Sequence, residues 1–245
     1  MENSLLIGLS RQTALRNELN VVANNLANIN TSGFKAQRLL FEEYLMPVAE
    51  ASTFQPSDKD YSYVLDYGVS SNFTAGSISL TGGALDVAIE GDGFFAVDTP
   101  GGERYTRAGA LHLDNTGQLV TDAGFPVLGD GGPITFGADE TDITIAQDGT
   151  VSSSVGVKGR LRVVSFENLG ELQRVGSNLY TGENPLPAES VRVLQGAVEK
   201  SNVSGVTEVS RMIEITRNYT SVSKMIEQGD ELLRKAIDRL GSVQA

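Results

Sequence analysis

At 245 residues the chain can bury a sizeable core as one large domain or two modest ones, and its formal net charge of −12 argues against nucleic acid, whose phosphates this surface would repel. It has no cysteine or tryptophan and a single histidine, which excludes a disulfide framework, a thiolate zinc site and a cysteine nucleophile. Its apolar runs are too short to span a bilayer and Met1-Glu2-Asn3-Ser4 lacks the basic start of a cleaved signal peptide, so the sequence reads as cytoplasmic, or as exported by a route that ignores such signals, without membrane insertion.

The first predicted element is a helix from about Asn3 or Ser4 to Asn28, with either of those residues a suitable N-cap. Leu15, Leu19, Val22, Leu26 and Ile29 fall at spacings of four, three, four and three, the narrow seam by which a helix packs on one or two others. Asn28-Ile29-Asn30-Thr31-Ser32-Gly33 ends it. A polar run closing on glycine suits an exit through a left-handed turn, with Phe34 buried beside it. Phe41, Tyr44 and Leu45 then mark a short helical or extended segment stopped by Pro47. Residues 46–75 read as a connector. From Val48 to Tyr67 no period survives, and contacts with other chains would be needed to order it.

Residues 76–196 read as an antiparallel β-rich domain, since 22 of the 27 glycines lie between residues 46 and 196 in a pattern of short strands and tight turns. Strands are expected at 85–89, 93–97, 110–113, 118–120, 143–145, 160–166 and 191–194, with Asp114-Asn115-Thr116-Gly117 as a turn. The last element, in residues 197–245, is a helix from near Gly205 to about Leu240. Tyr219, Val222, Ile226, Leu233, Ile237 and Leu240 repeat the first helix's rhythm, with Gly229 where an apolar residue is due. The expected fold is therefore α+β, with long terminal helices packed as a coiled-coil-like pair around a central antiparallel β-domain. Charge follows the same division. Residues 1–45 hold four acids and four bases and residues 197–245 seven of each, so the whole excess of −12 lies in the middle. Balanced ends can pack against copies of themselves, while an acidic middle stays hydrated.

Side chains that look chemical have simpler explanations. His112 sits in an alternating strand with no second histidine or cysteine to share a metal. Asp86 and Glu90 share a strand face about 13 Å apart, too wide for a paired-carboxylate site. Asp114-Asn115-Thr116-Gly117 and Asp148-Gly149 lack the full spacing of a calcium loop and suit turns. Gly91-Asp92-Gly93 has no following lysine or helix to complete a phosphate loop. The glycosylation patterns at Asn30, Asn202 and Asn218 read as chance in a chain without a secretory signal. No catalytic residue, cofactor, metal or small-molecule substrate is indicated.

Three blocks together carry a resemblance. Asn24-Asn25-Leu26-Ala27-Asn28, continuing to Thr31-Ser32-Gly33-Phe34-Lys35, resembles the N-terminal signature of the bacterial flagellar rod and hook proteins. Asp86 to Phe95, then Tyr105-Thr106-Arg107-Ala108-Gly109, resembles the family's central β-domain. Leu194-Gln195-Gly196 with Glu199-Lys200-Ser201-Asn202-Val203 resembles its C-terminal signature. Length and the central β-domain leave the proximal- and distal-rod types, and the opening Met1-Glu2-Asn3-Ser4-Leu5, the stretch from Ile215-Thr216-Arg217-Asn218-Tyr219 onward and the absence of tryptophan make the chain more similar to the proximal. The resemblance implies a non-enzymatic structural subunit of the periplasmic rod, the drive shaft that transmits motor torque. Its partners would be copies of itself, other rod proteins and the flagellar type III export apparatus. Terminal helices of many copies would form an inner layer, with the β-domain outside. Phe41-Glu42-Glu43-Tyr44-Leu45 fits the family's export element, Phe-x-x-x-apolar, although packing of Phe41 and Leu45 would explain it equally. The heptad residues are the expected subunit-packing surface. Exposed in a lone chain, they would leave its ends frayed until assembly. The alternatives are a distal-rod subunit and, outside the family, a trimeric phage-tail-like or surface β-protein or a calcium-dependent β-domain enzyme.

Overall fold

A computed structural model describes residues 2–45, 62–188 and 191–242, with the side chains of residues 2–5, 41–45, 62–67, 236 and 240–242 excepted. Helix α1 spans Glu2–Ala27 and helix α2 spans Gly205–Ser242, and short strands fill most of the chain between them, so the fold is α+β. Two compact units result. One comprises Met1–Leu26, Gln37–Ser70 and Ser204–Ala245, the other Ala27–Ala36 and Ser71–Val203.

In the helical unit α1 and α2 bury their seams on each other. Leu15, Val22, Ile215 and Val222 form a core with Leu19, Met212, Tyr219 and Ile226 packed against it. Gly8 permits so close an approach that a Cβ there would stand 3.1 Å from Cγ1 of Ile226. Gln12 donates to the Ser223 hydroxyl at 3.0 Å, Arg211 donates to Glu18 at 2.8 Å, and Asn25 donates to Glu208 at 3.3 Å. Rising numbers on α1 meet falling numbers on α2, so the helices run antiparallel. The same unit holds a two-stranded sheet of Gln37–Leu45 and Ser62–Ser71. The Phe41–Leu45 segment is thus extended. Ser62–Ser71, inside the expected connector, is also a strand. Its Tyr, Val and Leu residues suit one, but their partner lies in Gln37–Leu45, which local periodicity cannot reveal. Connector residues 46–61 lie outside the described residues.

The β-unit centres on a six-stranded antiparallel sheet ordered 173–176, 179–181, 102–106, 94–99, 163–165, 186–187. Phe94-Phe95-Ala96-Val97 is apolar throughout because both faces of this sheet are covered. Successive side chains point to opposite faces. Phe95 and Val97 enter a large core with Val87, Leu119, Val127, Val151 and Val193. Phe94 and Ala96 enter a smaller one with Tyr105, Val164, Leu172 and Tyr180, closed by edge-to-face contacts such as Phe73–Tyr180 at 5.2 Å and Tyr105–Phe166 at 4.9 Å. The single strand expected at 160–166 is two, Gly156–Arg160 and Val163–Ser165, which pair with Thr150–Ser153 and with Phe94–Thr99 respectively. Buried Leu161 lies at the change of partner.

The aspartate turns keep their carboxylates occupied. Asp114 accepts from the amides of Thr116 and Gln118 at 2.8 and 2.9 Å and from the Thr116 hydroxyl at 2.7 Å. These bonds, that from the Thr116 hydroxyl foremost, hold its pKa below the ordinary aspartate value. Asp148 does the same with Thr150. His112 is half exposed, its Nδ1 3.9 Å from Asp122.

Candidate assembly interface

The heptad residues divide into three groups. Leu15, Val22 and Val222 are at most 8% exposed, and Leu19, Tyr219 and Ile226 are partly buried against them, all within one chain. The paired helices therefore cover the middle of their own seams, at about 25 cal/mol for each Å² of apolar surface removed from water. Leu26 and Ile29 are half-buried, the latter in the turn after α1. Towards the C-terminal end of α2, Leu233 is half-buried and Ile237 is 67% exposed, while the side chain of Leu240 lies outside the described set. A second exposed set, unmarked by the heptad reading, comprises Leu6 and Leu9 on α1 and Val206, Val209, Ile213 and Leu232 on α2.

The signature residues do local work at the ends of both helices. Asn25 is 1% exposed. Its Oδ1 accepts from the Gln37 amide at 2.8 Å and its Nδ2 donates to the Gln37 carbonyl at 2.9 Å, so one amide side chain satisfies both backbone groups of the residue opening the following strand. Asn28 accepts from the Thr31 amide and hydroxyl, each at 3.2 Å, through its carbonyl and side-chain oxygens, while Asn24 faces outward. Gly33 has φ +65°, and a Cβ on it would stand 2.3 Å from the Ala108 amide nitrogen, so the left-handed turn and the close approach both require glycine. Phe34 is buried, with the Arg174 guanidinium 4.9 Å from its ring centre.

Beside that turn, in the β-unit, lies a buried ionic hub. Glu199 accepts from Lys35 Nζ at 2.7 Å, Arg107 Nε at 2.6 Å and the Gly76 amide at 2.7 Å, with the three side chains 2–5% exposed. Lys35 also donates to the Thr74 carbonyl at 2.9 Å. Arg107 also donates to the carbonyls of Gly93, Ile89 and Gly91. The Gly91–Gly93 loop thus turns carbonyl oxygens towards a cation, opposite in polarity to an anion cradle. Asn202 completes the seam between the chain ends. Its Oδ1 accepts from the Ala36 amide at 2.7 Å, and its Nδ2 donates to the carbonyls of Asn72 and Thr74 at 2.8 and 2.9 Å. Gly33 donates to the Glu199 carbonyl at 2.8 Å, and the Ser201 hydroxyl accepts from the Val203 amide at 3.2 Å.

Burial alone would raise the pKa of Glu199, yet bonds from Arg107 and Lys35 and the charge of Arg107 hold it below its ordinary value. Burial lowers that of Lys35, opposed by its bond to Glu199. Each of the three sequence blocks contributes one charge to this hub. In the sequence each is a charged residue beside an apolar or small one: Phe34-Lys35, Arg107-Ala108 and Val198-Glu199. Spacing along the chain could not join them.

Comparison with known proteins assigns the same three blocks to one family. Residues 5–35 match the model of the flagella basal body rod protein, 88–153 the flagellar hook protein FlgE/F/G D1 domain, and 194–239 the flagellar basal body rod FlgEFG protein C-terminal region. The chain is 44% identical to the flagellar basal-body rod protein FlgF of Caulobacter vibrioides, over 99% of this chain and 100% of that one. It belongs to the flagellar basal-body rod family. Identity is 35% to FlgF of Rhizobium meliloti, over 98% and 99% of the two chains, and 36% to the rod protein FlgG of Buchnera aphidicola from Acyrthosiphon pisum, over 95% and 97%. The rod family is structural, and the chain is accordingly a structural subunit and not an enzyme, most like FlgF. Its hub draws one residue from each matched block: Lys35 ends the first, Arg107 lies in the second and Glu199 in the third.

Proposed function

We propose that this chain is a proximal-rod subunit of the FlgF type. It assembles with copies of itself and other rod subunits in the periplasmic part of the basal body and transmits motor torque. It leaves the cytoplasm through the flagellar type III export apparatus. The observation that carries the reading is the family match at both helical ends, which form an antiparallel helix pair whose outer faces still hold exposed Leu6, Leu9, Val206, Val209 and Ile237. The higher identity to the Caulobacter FlgF, 44% against 36% for the Buchnera FlgG, favours the proximal over the distal rod.

In this reading the heptad residues from Leu15 to Val22 and from Tyr219 to Ile226 hold the chain's own helices together, and the surrounding faces meet neighbours. The hub anchors the residues that follow α1 and precede α2, so load on either chain end is carried by buried ionic bonds. Phe41 and Leu45 are the candidate export element, and residues 46–70 set which neighbour is accepted. The test is deletion of the gene followed by complementation. Basal bodies from the deletion strain should lack distal rod subunits, and the wild-type chain should restore them and motility. A distal rod that assembles normally without this chain would refute the proximal placement.

A further inference from the structure

The helices are of unequal length, 26 residues in α1 and 38 in α2. Gly8 lies beside Ile226, and Gln12 is bonded to Ser223, so Glu2 at the start of α1 comes level with about residue 232 of α2. The last ten or so residues of α2, roughly 15 Å of helix, therefore overhang α1. This overhang is not a polar fraying end. It continues the seam buried further up: Leu233 and Ile237 follow Tyr219, Val222 and Ile226 in the heptad, and Leu232 widens the stripe. Leu232 and Ile237 are 64% and 67% exposed. The charges at its start are paired, Arg234 with Asp230 at 3.0 Å and Lys235 with Glu231 at 2.7 Å.

At the same end of the unit α1 presents the other half of a contact. Leu6 and Leu9, one turn apart, are 49% and 50% exposed on a face that the intrachain seam leaves uncovered. A second copy displaced along the helix axis by roughly 13 Å, slightly less than the overhang, would bring its Leu6 level with the first copy's Ile237 and its Leu9 within a turn of Leu232 and Leu233.

Resting on the rod reading, we infer that the α2 overhang of one copy docks on the outer Leu6–Leu9 face of α1 in the next copy, as a continuation of the intrachain seam. The contact is heterologous, one surface meeting a different one, so it propagates as an open array and does not close as a dimer. It is also small. A handful of aliphatic side chains falls well below the roughly 1,600 Å² of a stable pairwise interface, so copies stay apart in dilute solution and associate where several contacts act together.

The absence of cysteine makes the test clean. In the full chain carrying Leu6→Cys and Ile237→Cys, the two thiols of one copy are about nine residues out of level, roughly 13 Å, and cannot bridge within the chain, since a disulfide requires Cα atoms within about 7 Å. Oxidation at concentrations that permit polymerisation should yield a ladder of linked dimers, trimers and higher species. Either single variant should stop at dimers of low yield, as should the control pair Val206→Cys with Ile237→Cys. Oxidation that halts at the dimer in the double variant would mean a closed pair and overturn the inference. Efficient dimers from Ile237→Cys alone would mean α2 against α2 and overturn it too. A chain that sediments as polymer but forms no ladder refutes this contact while leaving the rod reading intact. Failure of the unsubstituted chain to restore rods in the deletion strain refutes the rod reading itself.

A second variant separates docking from folding. Leu232→Glu with Ile237→Glu, both at exposed positions, should leave the melting temperature and helix content of the free chain unchanged while abolishing sedimentable polymer. Polymer formed as readily as by wild type would overturn the inference.

Discussion

Replacing Glu199 by alanine removes the only anion of the buried hub, and the structure sets the size of the effect. The carboxylate accepts three hydrogen bonds, from Lys35 at 2.7 Å, Arg107 at 2.6 Å and the Gly76 amide at 2.7 Å. Removing one partner of a buried ion pair costs about 3–5 kcal/mol, chiefly because the other charge is left uncompensated. Here two cations and an amide lose their acceptor, which favours the upper part of that range. Lys35 limits the loss. Burial already holds its pKa below the ordinary lysine value, so it can release its proton at about 1.4 kcal/mol per pH unit of mismatch. Arg107 has no such escape but keeps the carbonyls of Ile89, Gly91 and Gly93. About 4 kcal/mol is the resulting expectation, a fall in Tm of roughly 8–16 °C at the 2–4 °C per kcal/mol usual for 150–250 residues. Glu199→Gln, which keeps the size and an accepting oxygen but not the charge, should lose about half as much. Scanning calorimetry with near-ultraviolet circular dichroism of the buried tyrosines measures both. A Glu199→Ala chain melting within about 2 °C of wild type would show that the hub contributes little, and the reasoning would fail.

Other substitutions and conditions test separate parts of the account. Val22→Asp puts a carboxylate into the 1%-exposed centre of the helix pair and should cost about 3 kcal/mol or more, lowering helix content and abolishing rod assembly and motility; retained helix signal with normal motility would contradict the pairing. Gly33→Ala meets both a φ of +65° and a 2.3 Å clash with the Ala108 nitrogen, so Tm should fall even though alanine lowers the chain's unfolded entropy; an unchanged Tm would refute that constraint. Acid should act through Glu199 and Glu140. The Glu199 carboxyl is held below its unfolded value of 4.5, and Glu140 is lowered to about 2, first by its bond from Lys158 and then by those from Ser153 and the Gly137 amide. A depressed carboxyl stabilises above its unfolded pKa and loses that contribution as pH falls through the folded one. Tm should therefore be level above about pH 5 and drop below 4.5, with a shallower drop in Glu199→Gln, and identical acid slopes in the two chains would contradict the assignment. Calcium or EDTA should leave Tm unchanged, because Asp114 Oδ1 and both oxygens of Asp148 accept from their own turns and no cluster of three or more His, Asp or Glu side chains able to hold a metal occurs among the described residues.

Periodicity and punctuation made the ends of the fold legible. The four-three spacing of Leu15, Leu19 and Val22 and of Tyr219, Val222 and Ile226 found both helices, and Gly33 marked the turn because a left-handed exit needs glycine there. What those seams touch was less legible. A heptad has the same pattern whether its partner lies in the same chain or the next, so Leu15, Val22 and Val222, read as a surface between subunits, turn out to be buried on one another. Ser62–Ser71 was missed because its partner strand lies on the far side of residues 46–61, and the hub because Lys35, Arg107 and Glu199 meet only after the β-unit folds. Such long-range pairings leave no local period to read.

The most direct test of the account is amide hydrogen exchange on the free chain compared with its assembled rod. In the free chain the middle of both helices, around Val22 and Val222, and the β-unit should be protected, while residues 233–242 exchange fast. On assembly the overhang and the Leu6–Leu9 turn should gain protection and the β-unit core should stay as it was. Helices with identical protection in the free and assembled states, with new protection confined to the β-unit, would mean that the terminal helices do not build the rod.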